Sequence, residues 1–318
     1  MIRTFFSGLG RHVLQALVLA LVVSTACFAM LRTLPGDPAY RVAAGRYGYD
    51  NVSVRAAEAV RAELALDRPW PEALIDWWGR VASLDFGLSM VTGEPVMDEL
   101  VHHLGHTLWL AALATVLAWL IGLPFGILAG LRPGGWIDRA CLLITVLLRA
   151  APPFLIAIAL VVVFSVQLGA LPAAGHRAPS HVLLPALALA LALAGGTARV
   201  AREAVVDVIR SPYFDFALSR GLSSRQALWR HGLRNAALPL LEYGGMQLVL
   251  LVEGVVVVET LFAWPGLGHA LVHALFWRDV PTLQASVLVL ALAFVLFHAL
   301  VDWLCRLLDP RRKRVEQP

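Results

Sequence analysis

The 318-residue chain is 59% hydrophobic and 15% charged, with a formal net charge of +4 and a mean hydropathy of +0.72. Soluble domains carry about a quarter charged residues, so a soluble globular protein is excluded and a polytopic membrane protein is indicated. A single lysine, Lys313, and the lack of any G-x-x-x-x-G-K-[ST] segment exclude a P-loop ATPase.

A bilayer core of about 30 Å needs about 20 mostly apolar residues per helical span. Six stretches meet that test, near 12–31, 107–131, 140–168, 181–200, 236–262 and 283–305. The expected fold is therefore all-α with six transmembrane helices.

Arg3 and Arg11 precede the first apolar run, a start resembling a secretory signal. The run from Val13 to Leu31 is too long for a signal core, and Ser24-Thr25-Ala26-Cys27 lacks the Leu expected before a lipoprotein cysteine. An uncleaved helix is expected. Cys27, Cys141 and Cys305 all fall inside spans with no paired spacing, and read as inert packing residues.

Residues 35–105 follow as a segment of small helices. Val54 to Leu66 alternates apolar residues with Arg55, Glu58, Arg61 and Glu63, an amphipathic pattern that Asp67-Arg68-Pro69 ends. Pro71 suits the first turn of a second helix, whose Trp77 and Trp78 fit the membrane interface or a docking surface for an external partner. His102 and His106 share a helix face, but two imidazoles do not make a metal site, and none is expected.

Arg132-Pro133-Gly134-Gly135 is a tight turn, making spans two and three antiparallel neighbours. Span three contains Arg149.

Between spans four and five lies a basic, polar insert, 213–241. Ser211-Pro212 interrupts the preceding helix, a short helix then runs from Tyr213 to Arg220, and Gly221 ends it. Ser223 and Gln226 stand at capping-box spacing, so a second helix starts there and carries Leu228, Trp229, Arg230, Leu233, Arg234 and Asn235. Pro239 marks re-entry into the membrane. A basic helix lying on anionic lipid is the alternative use for such an insert.

Glu242 and Glu253 are eleven apart and so share a face of span five. With Arg149 they are candidates to line a solute path, biasing it toward a zwitterion or a cation; an Arg149–glutamate ion pair is the alternative. Glu259 and Asp302 lie near span ends, where a structural role is expected.

Arginines at positions 3, 11, 132, 139, 199, 202, 210, 220, 225, 230, 234, 306, 311, 312 and 314 all fall on one side of this topology. The positive-inside rule then puts both termini and the 213–241 insert in the cytoplasm. The tail after Pro310 is basic enough for anionic membrane lipid to hold.

The insert resembles the EAA loop of binding-protein-dependent ABC importer permeases, with Asp215-Phe216-Ala217 at the Glu-Ala-Ala place and Gly221-Leu222 at the glycine. Ala217 to Ser223 and Leu228 to Ala236 are similar to the dipeptide, oligopeptide and nickel branch. So, in order, are Leu34-Pro35-Gly36-Asp37-Pro38, Asp85 to Ser89, Val258 to Gly268 with its Trp264-Pro265-Gly266, and Arg278-Asp279-Val280-Pro281.

That resemblance implies a type I importer permease fold in a bacterial inner membrane. The expected organisation is 1–34 as N-terminus and first helix, 35–105 as a periplasmic segment, 106–306 as a five-helix core with the coupling loop at 208–239, and 307–318 as a tail. It further implies a second permease subunit, two cytoplasmic ATPases and a periplasmic or lipid-anchored solute-binding protein. No cofactor and no nucleic-acid partner are expected, and hydrolysis falls to the ATPases. An ion-driven secondary transporter and an intramembrane enzyme are the competing classes, but neither Gly-x-Ser-x-Gly nor His-Glu-x-x-His occurs.

Overall fold

The computed structural model describes the backbone of residues 2–308 except 34, 49, 51 and 65–68; side chains are described except at 2–13, 31, 32, 64, 70, 231, 234, 248–250, 252, 253, 302 and 304–308. The side chains of Arg234, Glu253 and Asp302 and the basic tail thus lie outside the described residues. Among those described, every regular element is helical.

The chain forms two compact units, one from Met1–Leu108 with Pro265–Leu296, the other from Trp109–Trp264 with Phe297–Pro318. Helix α5 (Val96–Leu131) and helix α13 (Val280–Leu308) each contribute to both.

The first unit also holds α1 (Ile2–Thr33), α2 (Pro38–Tyr47), α3 (Val54–Leu64), α4 (Trp70–Ser83) and α12 (Leu267–Trp277). Phe28, Leu74, Trp77, Phe86, Val96, Leu267 and Leu288 form its core. Trp77 and Trp78 therefore part company: adjacent helical residues point about 100° apart, and Trp77 is buried against Phe86 while only Trp78 is exposed. A smaller cluster of Ala39, Val42, Ala57 and Val60 joins α2 to α3, where Arg46 pairs with Glu63 at 2.9 Å. Helix α12 was not visible as a separate element in the sequence, its apolar turns being too few to mark a span.

The second unit contains α6 (Trp136–Ala150), α7 (Pro153–Leu160), α8 (Leu183–Ile209), α9 (Pro212–Ser219), α10 (Ser224–Ala227) and α11 (Leu233–Leu261). The expected third span is broken. Helix α6 and the stretch Pro153–Gln167, which ends in a π-helical turn from Val161, meet at 102°. Pro152 and Pro153 both lack an N–H, so the ladder cannot cross that point. By contrast, Pro239 lies inside α11, which begins at Leu233 and continues through it.

Helix α8 is the hub of this unit, and small residues let its neighbours approach closely. Gly122, Gly126 and Gly130 repeat every four residues along one face of α5 and lie on α8. A Cβ at Gly126 would sit 2.2 Å from the Ala198 carbonyl oxygen and 2.7 Å from the Ala201 Cβ. On α11, a Cβ at Gly244 would meet the Trp119 ring at 2.6 Å. At this junction Gln247, 0% exposed, donates to the Leu193 carbonyl at 2.9 Å and the Thr197 hydroxyl at 2.8 Å. Its side-chain oxygen accepts from the Trp119 indole at 3.1 Å. One amide thus ties α5, α8 and α11 together.

Three described helices are long and apolar enough to cross a membrane, and there are four if the bent pair is one span. The remaining two expected spans coincide with α1 and α11, of 32 and 29 residues, each longer than about 30 Å at about 1.5 Å per residue.

Gly126→Val should destabilise the permease unit by about 3 kcal/mol or prevent its folding, because the obstructing atom is backbone; Gly134→Ala, at a site with open space but positive φ, should cost about 1 kcal/mol. Thermal unfolding in detergent compares the two. In the first unit, Arg46 holds the Glu63 carboxyl below the usual carboxylate range by a hydrogen bond. A depressed carboxyl contributes stability above its unfolded value of about 4.3, which is lost as pH falls through the lower folded value. Hydrogen exchange of α2 and α3 should rise across that acid window, and Glu63→Gln should remove the pH dependence.

Candidate functional site

Three groups of residues carry the chemistry. The first is the 208–239 loop. Ser211 leaves α8 in extended backbone and Pro212 opens α9, where its missing N–H costs nothing. The backbone then turns at Gly221, whose φ is +87°. Ser223 and Gln226 form the expected capping box, with bonds of 3.3 and 3.1 Å, so α10 starts where the spacing predicts. A π-helical turn, Leu228–Gly232, leads from α10 into α11.

Alternate faces of α9 have opposite fates. Phe214 and Ala217 pack inward with Ala204, Val208, Ala227 and Ala236, while Tyr213, Asp215 and Phe216 face outward. Phe216 is 62% exposed, with the Arg220 guanidinium 5.3 Å from its ring centroid. Leu222 is half-buried, and Gly221, Arg230, Asn235 and Pro239 are exposed.

Behind this loop stands a pair that sequence reading missed. Asp138, 2% exposed at the start of α6, accepts two bonds from Arg202 on α8, the Nη2 bond at 2.9 Å. It also accepts the Gly134 amide at 2.8 Å, fixing the tight turn to the helix that leads into the loop. The two residues are 64 apart in sequence, so no local pattern joins them.

The second group lies in the span. Arg149 ends α6 and lines a pocket of about 330 Å³ with Pro153, Phe154, Leu193, Gly254 and Val257. Glu242 is exposed on α11 and is not part of that lining. Among the described residues Arg149 is in no ion pair with it.

The third group brings together the motifs around Pro35, Ser89 and Arg278 in the first unit. Arg278, only 8% exposed and in left-handed backbone at φ 55°, donates to the carbonyls of Pro35 and Gly36, the latter at 2.8 Å. Asp279 accepts from the Ser89 hydroxyl, from the Met90 amide at 3.0 Å and from the Thr282 hydroxyl at 3.0 Å. Asp37 caps α2 through the Ala39 amide at 3.0 Å, with Pro38 in the first turn. The Pro265 carbonyl meets His103 Nδ1 at 2.9 Å, and Gly266 caps α12. Trp264, buried in the second unit, donates its amide to Glu259 O at 2.8 Å. His102 and His106 stack edge to face with ring centroids 4.8 Å apart.

Residues 122–314 match the family described as binding-protein-dependent transport system inner membrane component. The chain is a member of that family. It is 38% identical over 289 residues to the glutathione transport system permease protein GsiC of Escherichia coli strain K12, covering 91% of this chain and 93% of the relative. The counterpart from Shigella flexneri serotype 5b matches at 38% over the same extent. Among solved structures, a chain of the MetNI methionine ABC transporter in an inward-facing conformation superposes with a TM-score of 0.58 at 22% identity, covering 68% of this chain and 99% of that one. A second crystal form gives 0.54 at 20%. The fold is that of type I importer permeases, and the permease is a non-catalytic, multi-pass inner-membrane subunit of an ABC importer.

Asp138→Ala should destabilise this permease by about 3 kcal/mol, because it leaves the Arg202 guanidinium without its carboxylate. Asp138→Ala with Arg202→Ala should cost less than the sum of the single changes, read by thermal unfolding of the purified subunit.

Proposed function

We propose that the chain is one of two permease subunits that together form the path for a dipeptide, an oligopeptide or a related small solute such as nickel, and that its 208–239 loop docks on a cytoplasmic ATPase. The observation that carries the docking is the division of α9. Its inward residues, Phe214 and Ala217, bind it to the permease core, and its outward residues leave an exposed aromatic surface, Tyr213 and Phe216. ATP-driven closure of two ATPases would push on that helix, and α8, stapled to the α6 turn by Asp138 and Arg202, would carry the push into the spans.

A second permease, two ATPases and a periplasmic or lipid-anchored solute-binding protein complete the assembly in this reading. The arginine distribution supports cytoplasmic termini and a cytoplasmic loop. The name of the GsiC relatives supports a small peptide as solute. Arg149, Glu242 and Glu253 are assigned to the path, and the outer motifs around Arg278 and Asp279 to the face toward the binding protein.

Gly221 provides the test. Open space surrounds a Cβ there, but φ is +87°, so Gly221→Val strains the turn by about 1–3 kcal/mol without a clash. ATP-coupled uptake should fall more than about tenfold while membrane insertion persists. Phe216→Asp should lower uptake and ATPase association together. Unchanged uptake in both variants would count against the docking role.

A further inference from the structure

We propose that the pocket at the break between α6 and α7 is a carboxylate-binding subsite, with Arg149 holding the anionic end of a solute whose body is apolar. This rests on the reading of the chain as a solute-conducting permease and adds a ligand chemistry to it.

The charge comes first. Arg149 lies near the middle of the broken span, where an arginine costs about 2.5–3.5 kcal/mol on insertion scales and therefore calls for a counter-ion. Asp138 is committed to Arg202 and Glu203 to Arg199, and a solute carboxylate would meet the need. A neighbouring polar group is Tyr243 on α11. Its hydroxyl stands over Gly196, where a Cβ would lie 1.7 Å away, so the glycine is what admits the ring.

The backbone adds to the positive field. Helix α7 begins at the pocket, and Pro153 and Phe154 of its first turn are in the lining. A helix start carries partial positive charge, but Pro153 has no N–H and the Leu155 amide is already bonded to the Pro152 carbonyl, so the donors for an anion come from Arg149. The remaining walls, Phe154, Leu193 and Val257, are apolar. A volume of about 330 Å³ is at the lower end for ligand sites, enough for one or two residues of a peptide. A guanidinium pairs with a carboxylate through two parallel bonds, so the pocket selects a terminal carboxylate with an apolar neighbour. It does not fit a bare metal cation, which Arg149 would repel; of the zwitterion or cation expected from Arg149, Glu242 and Glu253, it favours the zwitterion.

The test uses the assembled transporter in proteoliposomes with Val257→Cys, a lining position that is 47% exposed; the parent chain with its own cysteines gives the background. A sulfonate-bearing methanethiosulfonate should label this cysteine faster than a trimethylammonium one. Arg149→Gln should cut that preference about tenfold, and Arg149→Lys should keep most of it. N-acetyl-leucine should slow the labelling and N-acetyl-leucinamide should not.

Equal preference with Arg149 and with Gln overturns the subsite, as does equal protection by acid and amide. If Arg149→Gln fails to assemble, the acid-against-amide comparison on the unchanged arginine decides alone. Loss of subunit association in Arg149→Gln without protection by the acid would give the arginine a carboxylate on another subunit, and also overturns the proposal. ATP-driven peptide uptake by the same vesicles separates the two readings: uptake without acid selectivity sinks the subsite alone, and acid selectivity without any uptake sinks the solute path.

Discussion

A polar group inside a bilayer must find its partner within the protein, and Gln247 meets that constraint by using both ends of its amide on two other helices. The rest of the second unit is arranged around this joint. Helix α8 can sit at the centre only because its neighbours come close enough for a side chain of three rotatable bonds to span them. That closeness is set by glycine on α5 and α11 and by alanine along α8. Packing and polar satisfaction are therefore one requirement here: filling the glycine row would separate the helices and leave the Gln247 amide, the Trp119 indole and the Thr197 hydroxyl to find partners elsewhere. Association in lipid gains little from burying apolar surface, so such contacts set the geometry.

The parts of the molecule that could be read from sequence were the local ones. Ser223 and Gln226 predict a cap because both bonds close within three residues; Gly221 predicts a turn because of its own backbone freedom; Pro212 opens α9 for the same kind of reason. The motifs around Pro35, Ser89 and Arg278 could be placed in order but not in space. That Arg278 reaches Pro35 and Gly36, and that Asp279 reaches Ser89 and Met90, depends on contacts across 189 to 243 residues, for which a single sequence has no signal. Asp138 and Arg202 escaped notice likewise, although a buried acid just after a tight turn was a clue.

One expectation failed for an instructive reason. The apolar run at 140–168 looked continuous because hydropathy does not register a missing N–H, yet Ala151-Pro152-Pro153 bends it through 102°. Pro239, by contrast, lies within α11, which is already under way from Leu233 and absorbs it. Proline thus acts as a breaker where two stand together and as an ordinary member near the start of a long helix. Trp77 and Trp78 make the same point for aromatics: a pair judged together was divided between core and surface by the helical turn.

The break at Pro152 and Pro153 has one more effect. In an unbroken helix the carbonyls of Leu148 and Arg149 would accept from residues 152 and 153, and both of those are prolines with nothing to give. Two strong acceptors are thereby left without helical donors at the bend, and in lipid such groups must be answered by water, by a passing solute or by a nearby side chain.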